Sequence, residues 1–374
     1  MNENDTLDTG FENMAWNVEL ENMPHFMKSA ERIAAWLNGQ VIDRAPIRFS
    51  QHNADYNTKE YSKTWPTLKD RWMDVEYAVD DYVKRLGERP LLAETFPVYF
   101  PNLGPNWFAG CFGAPLVWGD VTAWADEPII LDYEEDLPGV AFGWESELFR
   151  KMDEYTDYAL SICKGKFMVG YTDIHTGIDC AMALRGIENL LVDIHDCPEQ
   201  VEQLVEKCEE PLFGVFDHFD AKLKAHGLPS ATWMTVPSFG KLYISSADIA
   251  AMLSPAAFER FIYPVLEKEC RHFTHNIFHM DGKHVALHTE RILSLPNLHA
   301  VQWVQGVGLD EPIMQWVPYL KSILNAGKSI ILDLKPSELE HFIGEFDKPD
   351  GIMLCIPSGD TEEQEAIIKR VEKW

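Results

Sequence analysis

Strand-like and helix-like segments alternate along the whole chain, and that alternation constrains the fold more than any other feature of the sequence. Eight short runs rich in β-branched and aromatic residues occupy residues 45–51, 91–100, 166–174, 231–236, 276–281, 299–304, 329–334 and 351–357. Between them lie stretches with apolar residues at helical spacing, as at Leu190, Leu191, Ile194, Val201, Leu204 and Val205 within 187–226. Others cover 255–272, 312–326, 336–345 and 361–372, several with proline near the first turn. Ser337/Glu340 and Thr361/Gln364 have the spacing of a capping box. Strands separated by helices pair in parallel through crossover connections. Eight such units predict an α/β chain closed into a single (β/α)8 barrel of the TIM type. A doubly wound open sheet is the alternative, but the glycine-rich first turn of a dinucleotide-binding fold is missing. The expected division is an N-terminal arm and capping helix over 1–40 and the barrel over 41–374. A long insert rich in Trp, Phe and Pro follows the second strand at 96–145.

Charge and cysteine content narrow the partners. Sixty acidic residues against 32 basic ones give a formal net charge of −28, which excludes nucleic acid as a partner because that needs a basic footprint. A strongly anionic substrate would approach against the protein's own field unless a local basic pocket receives it. No apolar run reaches the roughly 18 to 20 residues of a membrane span. The first 21 residues carry several acids and no basic region, so a flexible leader or capping arm is expected there rather than a signal peptide. Seven cysteines without a CxxC pair (Cys111, Cys163, Cys180, Cys197, Cys208, Cys270 and Cys355) point to a reduced, cytoplasmic protein.

Reactive groups of such a barrel sit where strands end and the following loops begin. Asp173 and His175 share one face of an extended segment, and a carboxylate beside an imidazole offers acid/base catalysis or metal ligation. The competing structural reading pairs Asp173 with a buried arginine such as Arg185 and makes Asp179 a helix cap after the tight turn that Gly177 permits. Glu94 is a catalytic candidate because a carboxylate in an apolar strand is rare unless paired or functional. Arg48 and His52 are candidate anion contacts, Arg48 also a catalytic one, although a side chain this early can equally pair with an acid inside the barrel. His279 and Asp281 at the end of the fifth strand can bind zinc with a third donor from another strand, for which Cys355 is the candidate. The structural alternative for Cys355 is an ordinary buried cysteine. Tyr243, Gln302 and Trp303 are candidate substrate contacts, with core packing the default for a tryptophan. Ser246 and Asp248 lie in the same stretch as Tyr243, without an assigned role.

Four segments resemble a known superfamily. NGQVIDRAPIR (38–48) resembles the opening of the uroporphyrinogen decarboxylase superfamily, where a DR-P step leads into the first strand. LRGIENLLVDIHDCPE (184–199) resembles its helix pair, SADIAAMLSPAAFERFIYP (246–264) its SP--F--F--P stretch, and HMDG (279–282) its H-x-D/C-G strand. The resemblance implies the same barrel and one of two activities. The decarboxylases use no cofactor and carry an RQAGRY motif, whereas RFSQHNADY (48–56) keeps one arginine here; reading an eight-carboxylate porphyrinogen needs several guanidinium groups. The other branch comprises methyltransferases working with corrinoid proteins, many of which bind zinc through H-x-C and a later cysteine. This chain has His279 and, by position, Cys355, with Asp281 where the middle cysteine would stand.

The expectation is therefore a methyltransferase moving a methyl group between a small methylated substrate and a partner corrinoid protein. Zinc on His279, Asp281 and Cys355 would act as a Lewis acid on the heteroatom that gains or loses the methyl group, and the resemblance suggests a homodimer. A cofactor-free decarboxylase or lyase using Arg48 and Asp173 is the first alternative, and a non-catalytic binding barrel the second. The mechanistic readings require Asp173, His175, His279 and Asp281 to meet at one cavity.

Overall fold

The computed structural model describes residues 18–50, 61–88, 91–306 and 308–374; His52 lies outside them. From Val18 onward the arm is packed, with Val18, Leu20 and Met23 buried and the Glu21 N–H donating to the Gly165 carbonyl at 2.8 Å. The strands are β1 (Ile47–Ser50), β2 (Val98–Tyr99), β3 (Leu116–Trp118), β4 (Ala123–Ala125), β5 (Met168–Val169), β6 (Leu242–Ser245), β7 (His275–Asp281), β8 (Leu298–Val304), β9 (Ser329–Asp333) and β10 (Ile352–Pro357). Six form one parallel sheet in the order β1-β10-β9-β8-β7-β6, β2 and β5 form a parallel pair, and β3 and β4 an antiparallel hairpin inside the insert. Scattered hydrogen bonds, outside any ladder, link the segments flanking the two parallel sheets. Glu94 N–H donates to the Ile47 carbonyl and Tyr171 N–H to that of Ala231, at 2.8 and 2.9 Å, while the Tyr171 hydroxyl reaches the Leu242 carbonyl at 2.8 Å. The described residues thus hold eight parallel strands as six plus two, not as one continuous ladder.

Seven of the eight expected runs contain a strand, and the fourth does not. Residues 231–236 form a turn closed by Thr235 N–H on the Thr232 carbonyl at 2.8 Å, with Thr235 at φ 56°. That left-handed conformation costs a β-branched residue strain and takes it out of any ladder. The strand is LYIS instead, all four residues buried, entering the sheet beside β7. Helix starts also moved. Asp360, not Thr361, caps the last helix (Thr361–Val371), its carboxylate accepting the Glu363 N–H at 2.7 Å.

In the sheet, registered neighbours present their side chains on the same face. Trp303 is fully buried on the helix-facing side, its ring 5.0 Å from Trp316 and 4.7 Å from Tyr319. Tyr243 is buried too, stacked on Phe273 at 4.5 Å. Neither is available to a substrate, so both assignments as substrate contacts are corrected to core packing. Aromatic residues of the insert join the same continuous core, Trp107 lying 6.2 Å from Phe149 and 6.1 Å from Phe219.

The floor of the sheet is closed by the helix Phe26–Leu37. Trp36 donates its indole N–H to the carbonyls of Ile330 and Gly351, each at 3.1 Å, where β9 and β10 begin. Glu94 belongs to this end. Its fully buried carboxylate accepts from both arms of Arg44 (2.7 and 3.1 Å), Arg32 (3.0 Å), Ser29 (3.1 Å) and the Ile47 N–H (2.8 Å). Arg32 in turn grips Asp43 at 2.6 and 2.7 Å. The expectation of a catalytic Glu94 is therefore corrected: its acceptor sites are taken at the starts of the strands, away from the loops where chemistry is done.

A buried histidine predicts the acid response of this scaffold. His275 is held between the Ser238 hydroxyl (2.8 Å from Nδ1) and the His299 ring (5.0 Å between centroids). Burial, aided by His299, lowers its pKa from 6.5 to about 4. The unfolded chain then takes up this proton first, so stability is lost as pH falls from about 6.5 towards about 4, by up to about 3 kcal/mol. Denaturant unfolding at pH 7 and pH 4.5 should show that loss in the native protein and a smaller one in His275→Asn.

Candidate active site

At the opposite end, three loops bring the sequence-predicted residues together. Past β5 the chain runs extended to Gly177, whose φ of +53° turns it into the helix Gly177–Arg185; a Cβ there would stand 3.1 Å from Val265 Cγ1. This places Asp173 and His175 side by side, with His175 Nε2 2.8 Å from Asp173 Oδ2. The Tyr243 hydroxyl donates to the Ile174 carbonyl at 2.8 Å, fixing the backbone between them from behind. Arg185 goes elsewhere, to Asp193 (2.6 Å) and the carbonyls of Ile130 and Leu131, so Asp173 is left to its histidine.

The second contribution follows β6. Asp248 opens a short helical turn (Asp248–Met252), and its N–H and that of Ile249 donate to the two oxygens of Asp179 at 2.9 and 3.2 Å. Asp179 therefore caps this turn, not its own helix. The third is the end of β7, with His279 and Asp281 two residues apart. His279 Nδ1 lies 2.6 Å from Gln302 Oε1 on the adjacent strand, and the Trp233 ring meets the imidazole edge-on at 5.3 Å. Candidate ligand atoms of Asp248, His279 and Asp281 all lie within 4.8 Å of one another, and so do those of His175, Asp179 and Asp248. Asp248, common to both groups, links His175 to His279 and Asp281, and Asp173 joins through its bond to His175.

Cys355 and Arg48 lie further round the sheet. They are registered neighbours on β10 and β1, with Asp333 alongside on β9. Cys355 is buried, and burial pushes its thiol up to about 12 against the opposing pull of Arg48. Among the described residues it joins no group of three candidate ligands, whereas Asp248 stands with His279 and Asp281 where Cys355 was expected as the third candidate. Arg48 donates to the Met234 carbonyl at 2.5 Å, which ties β1 to the turn that carries Trp233.

Electrostatics mark the cluster as strongly anionic. Burial lowers the His175 pKa, but the Asp173 contact and the charges of Asp179 and Asp248 outweigh it and raise the value to about 10. Asp179 is pushed up by burial and by Asp248. A bound cation would compete with the proton on His175. The donors present, imidazole and carboxylate without thiolate, fit a borderline or hard divalent ion. Gln302 fixes the His279 tautomer with Nδ1–H outward and Nε2 free, the usual outer support of a metal-binding histidine. Replacing Gln302 by alanine should weaken cation binding about 10- to 100-fold, measured by calorimetric titration.

A known structure shares this fold. The methyltransferase from Methanosarcina mazei matches with a TM-score of 0.61, covering 92% of this chain and 98% of that one at 12% identity. At that identity the likeness establishes the architecture alone. No protein-family profile matches the chain, and no curated protein does. Among the described residues no helix is long and apolar enough to cross a membrane.

Asp248 is the residue that sequence reasoning left without a role. With the fourth strand set at 231–236 it falls twelve residues downstream, deep in a connecting segment. With the strand at Leu242–Ser245 it stands in the first loop turn, the usual place for a functional group. The LYIS run was the available signal.

Proposed function

We propose that this chain is a methyltransferase, moving a methyl group between a small methylated substrate and a corrinoid protein, with a divalent cation held by Asp248, His279 and Asp281. The observation that carries the reading is the meeting of these three donors at the strand ends, on an architecture also found in a methyltransferase. When bound, the cation would supply Lewis-acid polarisation of the heteroatom that carries the methyl group. The chain's own residues do the rest: Gln302 orients His279, Asp179 holds the Asp248 backbone, and Trp233 packs against the imidazole. The same proposal includes closure of the six and two strands into one barrel, a second copy of the chain in a homodimer, and a cytoplasmic setting. A decarboxylase reading has less support, because the guanidinium of Arg48 is turned onto a backbone carbonyl.

The test is direct. The metal-loaded protein is mixed with a reduced corrinoid and a panel of methylamines, methoxylated compounds and methyl thioethers, and the corrinoid spectrum is followed. Conversion to the methylated form by one donor, lost in His279→Ala and kept in Cys355→Ala, is the expected result. An unchanged spectrum with every donor, using metal-replete protein, would overturn the proposal.

A further inference from the structure

The geometry points to a second cation site beside the first, formed by His175, Asp179 and Asp248, so that Asp248 bridges a pair of divalent ions. This rests on the cation site proposed above. In each donor group the ligand atoms lie within 4.8 Å of one another, and Asp248 belongs to both. A carboxylate offers two oxygens with about four acceptor directions, enough to serve two ions at the ~3.5–4 Å separation of two-metal sites.

Two further observations favour ligation. Each histidine is oriented by an acceptor outside the donor groups: Asp173 takes Nε2 of His175, and Gln302 takes Nδ1 of His279. Each ring is thereby left with one nitrogen for the cluster, which is how proteins prepare metal-binding imidazoles. The Nδ1 of His175 has only a long 3.4 Å contact to the Ser246 hydroxyl. The second observation is charge. Asp173, Asp179, Asp248 and Asp281 crowd one mouth, and among the ion pairs of the described residues none joins a lysine or arginine to any of them; the sole partner is His175 on Asp173. Asp179 is buried, Asp173 half-buried, and Asp248 and Asp281 exposed at the mouth, and two divalent ions would balance the four carboxylates. Asp179, though it caps the Asp248 turn, keeps lone pairs on both oxygens for a ligand bond.

Native mass spectrometry and calorimetry with Mn2+, on the full chain stripped of metal and reloaded, decide the matter. Two Mn2+ per chain are expected in the native protein, with an exchange-coupled paramagnetic resonance signal in place of an isolated-ion spectrum. His175→Gln and His175→Ala should each bind one ion and lose the coupling while circular dichroism stays native; the pair guards against a single variant that misfolds. Stoichiometry of one in the native protein, unchanged in both variants and abolished in His279→Ala, overturns the second site and leaves the first standing. Stoichiometry of zero overturns both.

Discussion

Asp248→Asn is expected to lower affinity for a divalent cation by more than about 100-fold and to remove with it the methyl transfer proposed above. Loss of an outer-shell partner alone costs about 10- to 100-fold, and Asp248 is a donor to both groups, so its loss takes charge from each at once. Asparagine keeps the size and one oxygen but not the anion. The backbone N–H of residue 248 still caps on Asp179, so the fold survives the change. Calorimetric titration with Mn2+ or Zn2+ measures the effect, and retention of native affinity would remove Asp248 from the site.

Glu94→Ala should cost about 3–5 kcal/mol of stability, the penalty of leaving buried charges unpaired. Glu94 is fully buried, and the Arg32 and Arg44 side chains that surround it are 9% and 4% exposed. Without the carboxylate, Arg44 has the Ala45 carbonyl left as its hydrogen-bond partner, whereas Arg32 still has Asp43. Glu94→Gln, which keeps the shape and one acceptor, should fall in between. Urea unfolding gives the free energies. Cation affinity of the folded fraction should stay native, which separates this residue from the mouth; a loss of affinity with stability intact would restore the catalytic assignment.

Much of this arrangement was legible in the sequence, and the failures have physical causes. Near-continuous apolar runs mark β7 to β10, because a parallel strand is buried on both faces, and they carry His279, Asp281 and Gln302 on β7 and β8. They cannot say which face is the mouth. Trp303, next to Gln302, therefore looked equally able to meet a ligand, yet it packs beneath the helix side. The apolar run 231–236 reads as a strand by composition, while the conformation of Thr235 breaks it, and nothing in six residues announces a left-handed threonine. Glu94 shows the ambiguity of a lone acid in an apolar run: rarity marks it as paired or functional, and only the positions of Arg32 and Arg44 decide. Cys355 failed for a similar reason, since strand number fixes neighbours around the sheet but not whether a side chain reaches across it.

The knot around Glu94 and the donors around Asp248 share no residue, and the sheet stands between them. Robustness and reactivity are thus governed by separate sets of side chains. Loop residues of the upper rim can be exchanged without drawing on the anchor below, and heat tolerance can be raised at the anchor without disturbing the mouth. Substitutions at the two ends should combine with additive effects on unfolding free energy.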